Sequence, residues 1–142
     1  MQNRKATNWV AWGLLLICLI QTAYIFLSTH RVPAPSKIIS ATSVGEGGAV
    51  YEVLYDSGGA TVPFIYRYFL MAKQPTLEEA LQETRKISPF LVTKSSNAVH
   101  EVRGDHVFLK TSGTIYNFNN ISYFKSNEEI KVVTFDLNAS AP

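Results

Sequence analysis

The chain of 142 residues has room for one small domain, and its 13 Lys and Arg against 11 Asp and Glu leave a formal charge of only +2. That balance excludes the strongly basic footprint of a nucleic-acid binder, and the single cysteine excludes a disulfide framework. The apolar residues, 46 % of the chain, are not spread evenly, and their grouping carries most of the information.

The first group is Trp9 to Ser28, "WVAWGLLLICLIQTAYIFLS", which has no charged side chain. Twenty residues of helix reach about 30 Å, the thickness of a bilayer core, and the run lacks the polar stripe of a helix packed in a soluble core. A single transmembrane helix is therefore expected over residues 9–28. Arg4 and Lys5 precede it, and Trp9, Trp12, Tyr24 and Phe26 stand near its ends, where amphipathic rings suit the headgroup layer. A short basic leader, residues 1–8, favours a cytoplasmic N-terminus with the rest exported. "VPA" ending at Ala34 has the residue sizes of a signal cleavage site, but Pro35 follows it directly, so an uncleaved anchor is expected. Gln21, Thr22 and Ser28 are the clearly polar side chains of the span, and Gln21 and Thr22 are placed to hydrogen-bond a neighbouring membrane helix.

Residues 29–37 read as a tether, extended by Pro33 and Pro35. Residues 38–142 then form the exported domain. From Thr29 onward, tether included, 11 basic residues equal 11 acidic ones, and the domain holds no cysteine, so it must be stabilised by its core. "VYEVLY" and "TVPFIYRYFLM" are rich in β-branched and aromatic residues and predict strands around an Asp56-Ser57-Gly58-Gly59 turn. Thr76, three residues before Glu79, starts a helix by capping, with Leu77, Ala80, Leu81 and Thr84 on its inner face and Ser88-Pro89 ending it. "AVHEVR" and "HVFLKT" predict a hairpin with Gly104-Asp105 at its tip in a type II′ turn. Its register pairs Arg103 with His106, and places His100, Val102, Val107 and Leu109 on one face. "TIYNF", "ISYFK" and "EIKVVTFDL" complete an α+β fold: an antiparallel sheet of six to eight strands, with one amphipathic helix after the third.

Motifs with chemistry are few. Gly58-Gly59 lacks the lysine and following helix of a phosphate loop. "VPFIYRYFLMA" is too short for a second span and contains Pro63 and Arg67. His100 and His106 fall on opposite faces of the predicted hairpin and cannot share one metal ion. Arg103-Gly104-Asp105 matches the integrin-binding tripeptide, but a tight tip favours these residues anyway. Asn120-Ile121-Ser122 and Asn138-Ala139-Ser140 match the glycosylation sequon, which matters only in a eukaryotic secretory pathway. No nucleophile elbow is present, so no catalytic residue, cofactor or metal site is assigned; a hydrolase would need a site assembled only by folding.

The stretch "YDSGGATVPFIYRYFL", following an anchor and a tether, resembles small bacterial envelope proteins that pair a membrane or lipid anchor with a β-rich domain. These carry a G-G-A-T turn leading into an aromatic strand. The resemblance covers about 20 residues and implies an inner-membrane protein with a periplasmic domain, but it supplies no catalytic residues. Some proteins of this build are immunity factors against toxins acting in the envelope. The expectation is a protein-binding module of that kind, or an accessory subunit of a secretion, conjugation or division machine. The aromatic strand supplies the candidate partner surface: Tyr55, Phe64, Tyr66, Arg67, Tyr68 and Phe69. Both faces of this strand are apolar, so each should be covered, and Pro63 suggests an edge strand or a bulge.

Overall fold

The computed structural model describes residues 4–29, 34–56 and 63–140. The Gly58-Gly59-Ala60-Thr61 turn, and His30 with residues 31–33 of the tether, lie outside the described residues. The chain divides into two units, Met1–Val32 and Pro33–Pro142.

The first unit is one helix, α1 (Arg4–Thr29). Within it, Asn8–Leu27 has a mean hydropathy of 2.2 and is not buried at all, as suits an N-terminal membrane helix or a signal sequence. A helix satisfies its own backbone groups, which lipid cannot do for it. The Thr22 hydroxyl follows the same rule, donating to the Cys18 carbonyl oxygen at 2.8 Å, one turn back.

Among its described residues the second unit has nine strands and a short helix, with the α+β character expected from the sequence. In chain order these are β1 (Lys37–Val44), β2 (Gly48–Tyr55), β3 (Ile65–Ala72), α2 (Leu77–Glu83), β4 (Leu91–Thr93) and β5 (Val99–Arg103). They are followed by β6 (His106–Thr111), β7 (Ile115–Phe118), β8 (Ile121–Ser126) and β9 (Glu129–Ala139). Instead of one sheet, the strands form two: five strands in the order β1-β2-β3-β4-β7 and four in the order β5-β6-β9-β8. All pairings are antiparallel except β6 with β9, which run parallel.

Two sheets arise because β2 and β3 are apolar on both faces. One face turns Val50, Tyr68 and Leu70 towards Val107, Leu109, Phe124, Val133 and Phe135 of the four-stranded sheet. Phe90 stacks on Phe135 there, with ring centroids 3.8 Å apart. The other face carries Tyr51, Val53, Phe69 and Met71 in a second cluster with Ala80 and Leu81 of α2. The helix begins as expected, with the Thr76 hydroxyl accepting from the Glu79 amide at 3.2 Å. Leu77 does not join the inner face and is exposed. Nor is β3 an edge strand: it is the middle strand of five, and Pro63 lies outside it, before Ile65.

The β5–β6 hairpin keeps its predicted tip and register, pairing Arg103 with His106 and Val102 with Val107. Gly104 has φ +61°, and Asp105 is not among the positive-φ residues, consistent with the type II′ turn. Beyond Glu101 the pattern shifts. A bulge between Val99 and Glu101 moves His100 out of the inner face, so Val99 packs on the core and His100 is exposed.

Candidate interaction face

Strands β8 and β9 present alternate residues to the core and to water. Ser122 and Phe124 point inward with Val133 and Phe135, while Ile121, Tyr123, Ile130 and Val132 point out. These four are 55, 69, 69 and 52 % exposed. Tyr123 pairs directly with Val132, and Ile130 with Lys125, so the side chains adjoin across the two strands. β8 is also the edge of its sheet. Beside it runs a groove of about 410 Å³ lined by Leu70, Met71, Ile87, Tyr123, Phe124 and Ile130.

The same face becomes polar towards β6. Thr134 stands between Ile121 on one side and His106 on the other. Its hydroxyl lies 2.7 Å from His106 Nδ1, and His106 Nε2 lies 2.7 Å from Asp136 Oδ2. With Asp136 ionised, Nε2 carries the proton and donates to it, which leaves Nδ1 to accept from Thr134 when the ring is neutral. Beyond them Arg103 grips Glu101 through Nε and Nη2 at 2.7 and 3.0 Å and lies over the Phe108 ring. That bond holds the Glu101 carboxyl below its ordinary value and raises the Arg103 guanidinium above its own.

Thr134, His106 and Asp136 repeat the order of donors in a hydrolase triad, but the surroundings differ. Thr134 lies within a strand, not on a turn. Its own amide donates to the Asp105 carbonyl at 3.0 Å, and the next amide, of Phe135, donates to Asn120 at 2.8 Å. The amides that would steady an oxyanion beside Thr134 are thus already bonded within the fold.

Of the six residues expected to form a partner surface, only Phe64 is well exposed. Tyr55, Tyr68 and Phe69 are buried, and Tyr66 and Arg67 are half-buried. The reason is the position of β3 in the middle of its sheet, with apolar cover on both faces. Tyr68 is a core residue with polar duties: its hydroxyl donates to the Ser95 carbonyl and accepts from the Ala98 amide, both at 3.0 Å. Burial pushes its phenol well above the usual range, so it stays protonated. Opposite it, the buried Glu52 carboxylate accepts from the Ser40 hydroxyl at 2.9 Å and the Asn97 amide at 3.0 Å. Arg67 lies over the Tyr55 ring, 4.2 Å from its centroid.

Gln21 and Thr22 both lie in α1, with Thr22 committed to its own helix. Among the described residues no three His, Cys, Asp or Glu side chains gather as a metal-binding group. The sequence marks "ISYFK" and "EIKVVTFDL" as strands but does not mark the β8–β9 face. The available signal was the presence of apolar residues at consecutive positions, such as Tyr123-Phe124 and Val132-Val133, where a one-sided strand would alternate. Comparison with protein-family models, with curated proteins and with solved structures gave no match.

Proposed function

We propose that this chain is a membrane-anchored protein-binding module of the bacterial inner membrane, with its β domain in the periplasm and its partner docked on the outer face of β8 and β9. The observation that carries the reading is the set of four adjoining apolar side chains, Ile121, Tyr123, Ile130 and Val132, each more than half exposed. An apolar centre flanked by Lys125 and by the Thr134–His106–Asp136 polar row has the layout of an interface core with its rim. The partner class that suits the anchor and the absence of an assigned catalytic residue is an envelope-acting toxin, held by an immunity protein. An accessory subunit of an envelope machine would use the same face and, in addition, the membrane helix.

The test is site-specific photo-crosslinking from position 123 in intact cells. The reading expects a discrete protein adduct that disappears when Val132 and Ile130 are replaced by Asp. Probes at Tyr123 and Ile121 that give no adduct would overturn it. Replacing α1 by a cleavable signal separates the two partner classes: an inhibitor keeps its effect, whereas a membrane-packed subunit loses it.

A hydrolase is the second reading, and the Thr134–His106–Asp136 arrangement is what favours it. Thr134 would attack an ester carbonyl carbon while His106 takes its proton through Nδ1 and passes it to the departing alcohol as the ester C–O bond breaks, and water would then hydrolyse the acyl-threonine. It predicts ester hydrolysis above buffer that falls at least tenfold in Thr134→Ala. Equal rates in the two proteins would remove it.

A further inference from the structure

We infer that the membrane helix pairs with a second copy of this chain in parallel, through a hydrogen-bonded pair of Gln21 side chains. The inference rests on reading Asn8–Leu27 as a transmembrane segment, and goes beyond that reading by naming the partner of the helix. Gln21 lies about 5 Å past the midpoint of the span, at 1.5 Å per residue. It is thus about 10 Å short of the membrane interface, further than a glutamine side chain reaches.

An amide at that depth has no water to bond. Among the described residues no hydrogen bond engages the Gln21 side chain, whereas its neighbour Thr22 bonds the Cys18 carbonyl. A primary amide without a partner in hydrocarbon is costly, so the helix gains by finding one. Thr22 has an answer within its own turn and needs no neighbour. Gln21 does not.

A second copy supplies the missing partner without further requirements. Two chains inserted in the same direction place identical residues at the same depth. An amide carries both a donor N–H and an acceptor oxygen, so two glutamines facing each other across a twofold axis can exchange two hydrogen bonds. The residues sharing the face of Gln21 at coiled-coil spacing are Leu14, Cys18 and Ile25. Cys18 is the smallest of these and lies one turn before Gln21, which lets the two backbones approach. Leu14 and Ile25 pack above and below, and all three are exposed along the isolated helix.

The seam contains its own probe, because Cys18 is the only cysteine of the chain. The full chain in its membranes is oxidised with copper phenanthroline and run on a non-reducing gel. A covalent dimer is expected, with its yield reduced roughly three- to tenfold in Gln21→Leu, in keeping with the strength of interhelical hydrogen bonds, and restored in Gln21→Asn. Energy transfer between labelled full chains in liposomes reads the same equilibrium without depending on sulfur geometry. Transfer that is absent, or unchanged in Gln21→Leu, overturns the pairing. Carbonate extraction run alongside separates the two layers of the argument. A chain that stays in the pellet but shows no transfer retains its anchor and loses the dimer, and a chain released by carbonate loses both.

Discussion

Tyr123 of β8 stands directly across from Val132 of β9, and both side chains face water although the strands that carry them are central to the domain's core on their other face. A sheet that buries one face normally dresses the other in polar residues. Tyr123→Asp and Val132→Asp should therefore change folding stability by no more than about 0.5 kcal/mol, while cutting partner binding at least tenfold. Thermal unfolding of the full chain in detergent, set beside the crosslinking yield, checks both halves. A large fall in melting temperature would show that the patch belongs to the core and not to an interface.

The Tyr68 hydroxyl should prove a structural necessity. It is the acceptor for the buried Ala98 amide and the donor to the Ser95 carbonyl. Tyr68→Phe keeps the ring and leaves both backbone groups without this partner, a cost of about 1–3 kcal/mol. Tyr66→Phe, two residues back along the chain and half-buried, should cost less than about 0.5 kcal/mol. Denaturant midpoints of the two variants against the parent chain give the comparison.

Gly48 opens β2 beneath the ring of Phe124, and a methyl group there would overlap that ring and stand 2.8 Å from the Val44 carbonyl oxygen. Gly48→Ala should destabilise the domain by about 1–3 kcal/mol through overpacking. Shortening the ring in a Gly48→Ala, Phe124→Leu double variant should recover part of that loss. Additive losses in the double variant would place the strain at the Val44 carbonyl instead.

Glu101 provides a pH dependence with a fixed sign. Arg103 holds its carboxyl below the ordinary value in the folded chain. A group held low favours folding above its unfolded value, and that contribution is lost as pH falls through the folded value. Arg103→Met should raise the Glu101 titration midpoint towards that of an ordinary carboxylate, as followed by NMR. Any stability difference between the variant and the parent should appear near neutral pH and vanish in acid. Because Glu101 and Arg103 are both exposed, the difference will be small.

Local signals made much of this fold legible. The Gly104 tip and the alternation on either side of it set the β5–β6 register through Glu101, and Thr76 marks the start of α2. The bulge at His100 escaped because one extra residue in a strand leaves no trace in composition. The aromatic stretch around Tyr66 was correctly paired with Tyr55's strand, yet its residues are mostly interior, since nothing local says whether a two-sided apolar strand is covered by its own domain or by another. The β8–β9 face was missed for a related reason. With Tyr123 beside Phe124 and Val132 beside Val133, either alternate set can face the core, and only packing against β3 decides which one does. The parallel pairing of β6 with β9 joins residues about 28 positions apart, a relation that no local pattern reports.

That pairing has a bearing on how the second sheet coheres. In the four-stranded sheet β9 sits between β6 and β8, and it follows both of them along the chain. Without it, β8 has no neighbour in its sheet and the β5–β6 hairpin has a bare flank. The four-stranded layer is therefore held together by β9 as an arch is by its keystone, since β9 alone joins the β5–β6 hairpin to β8.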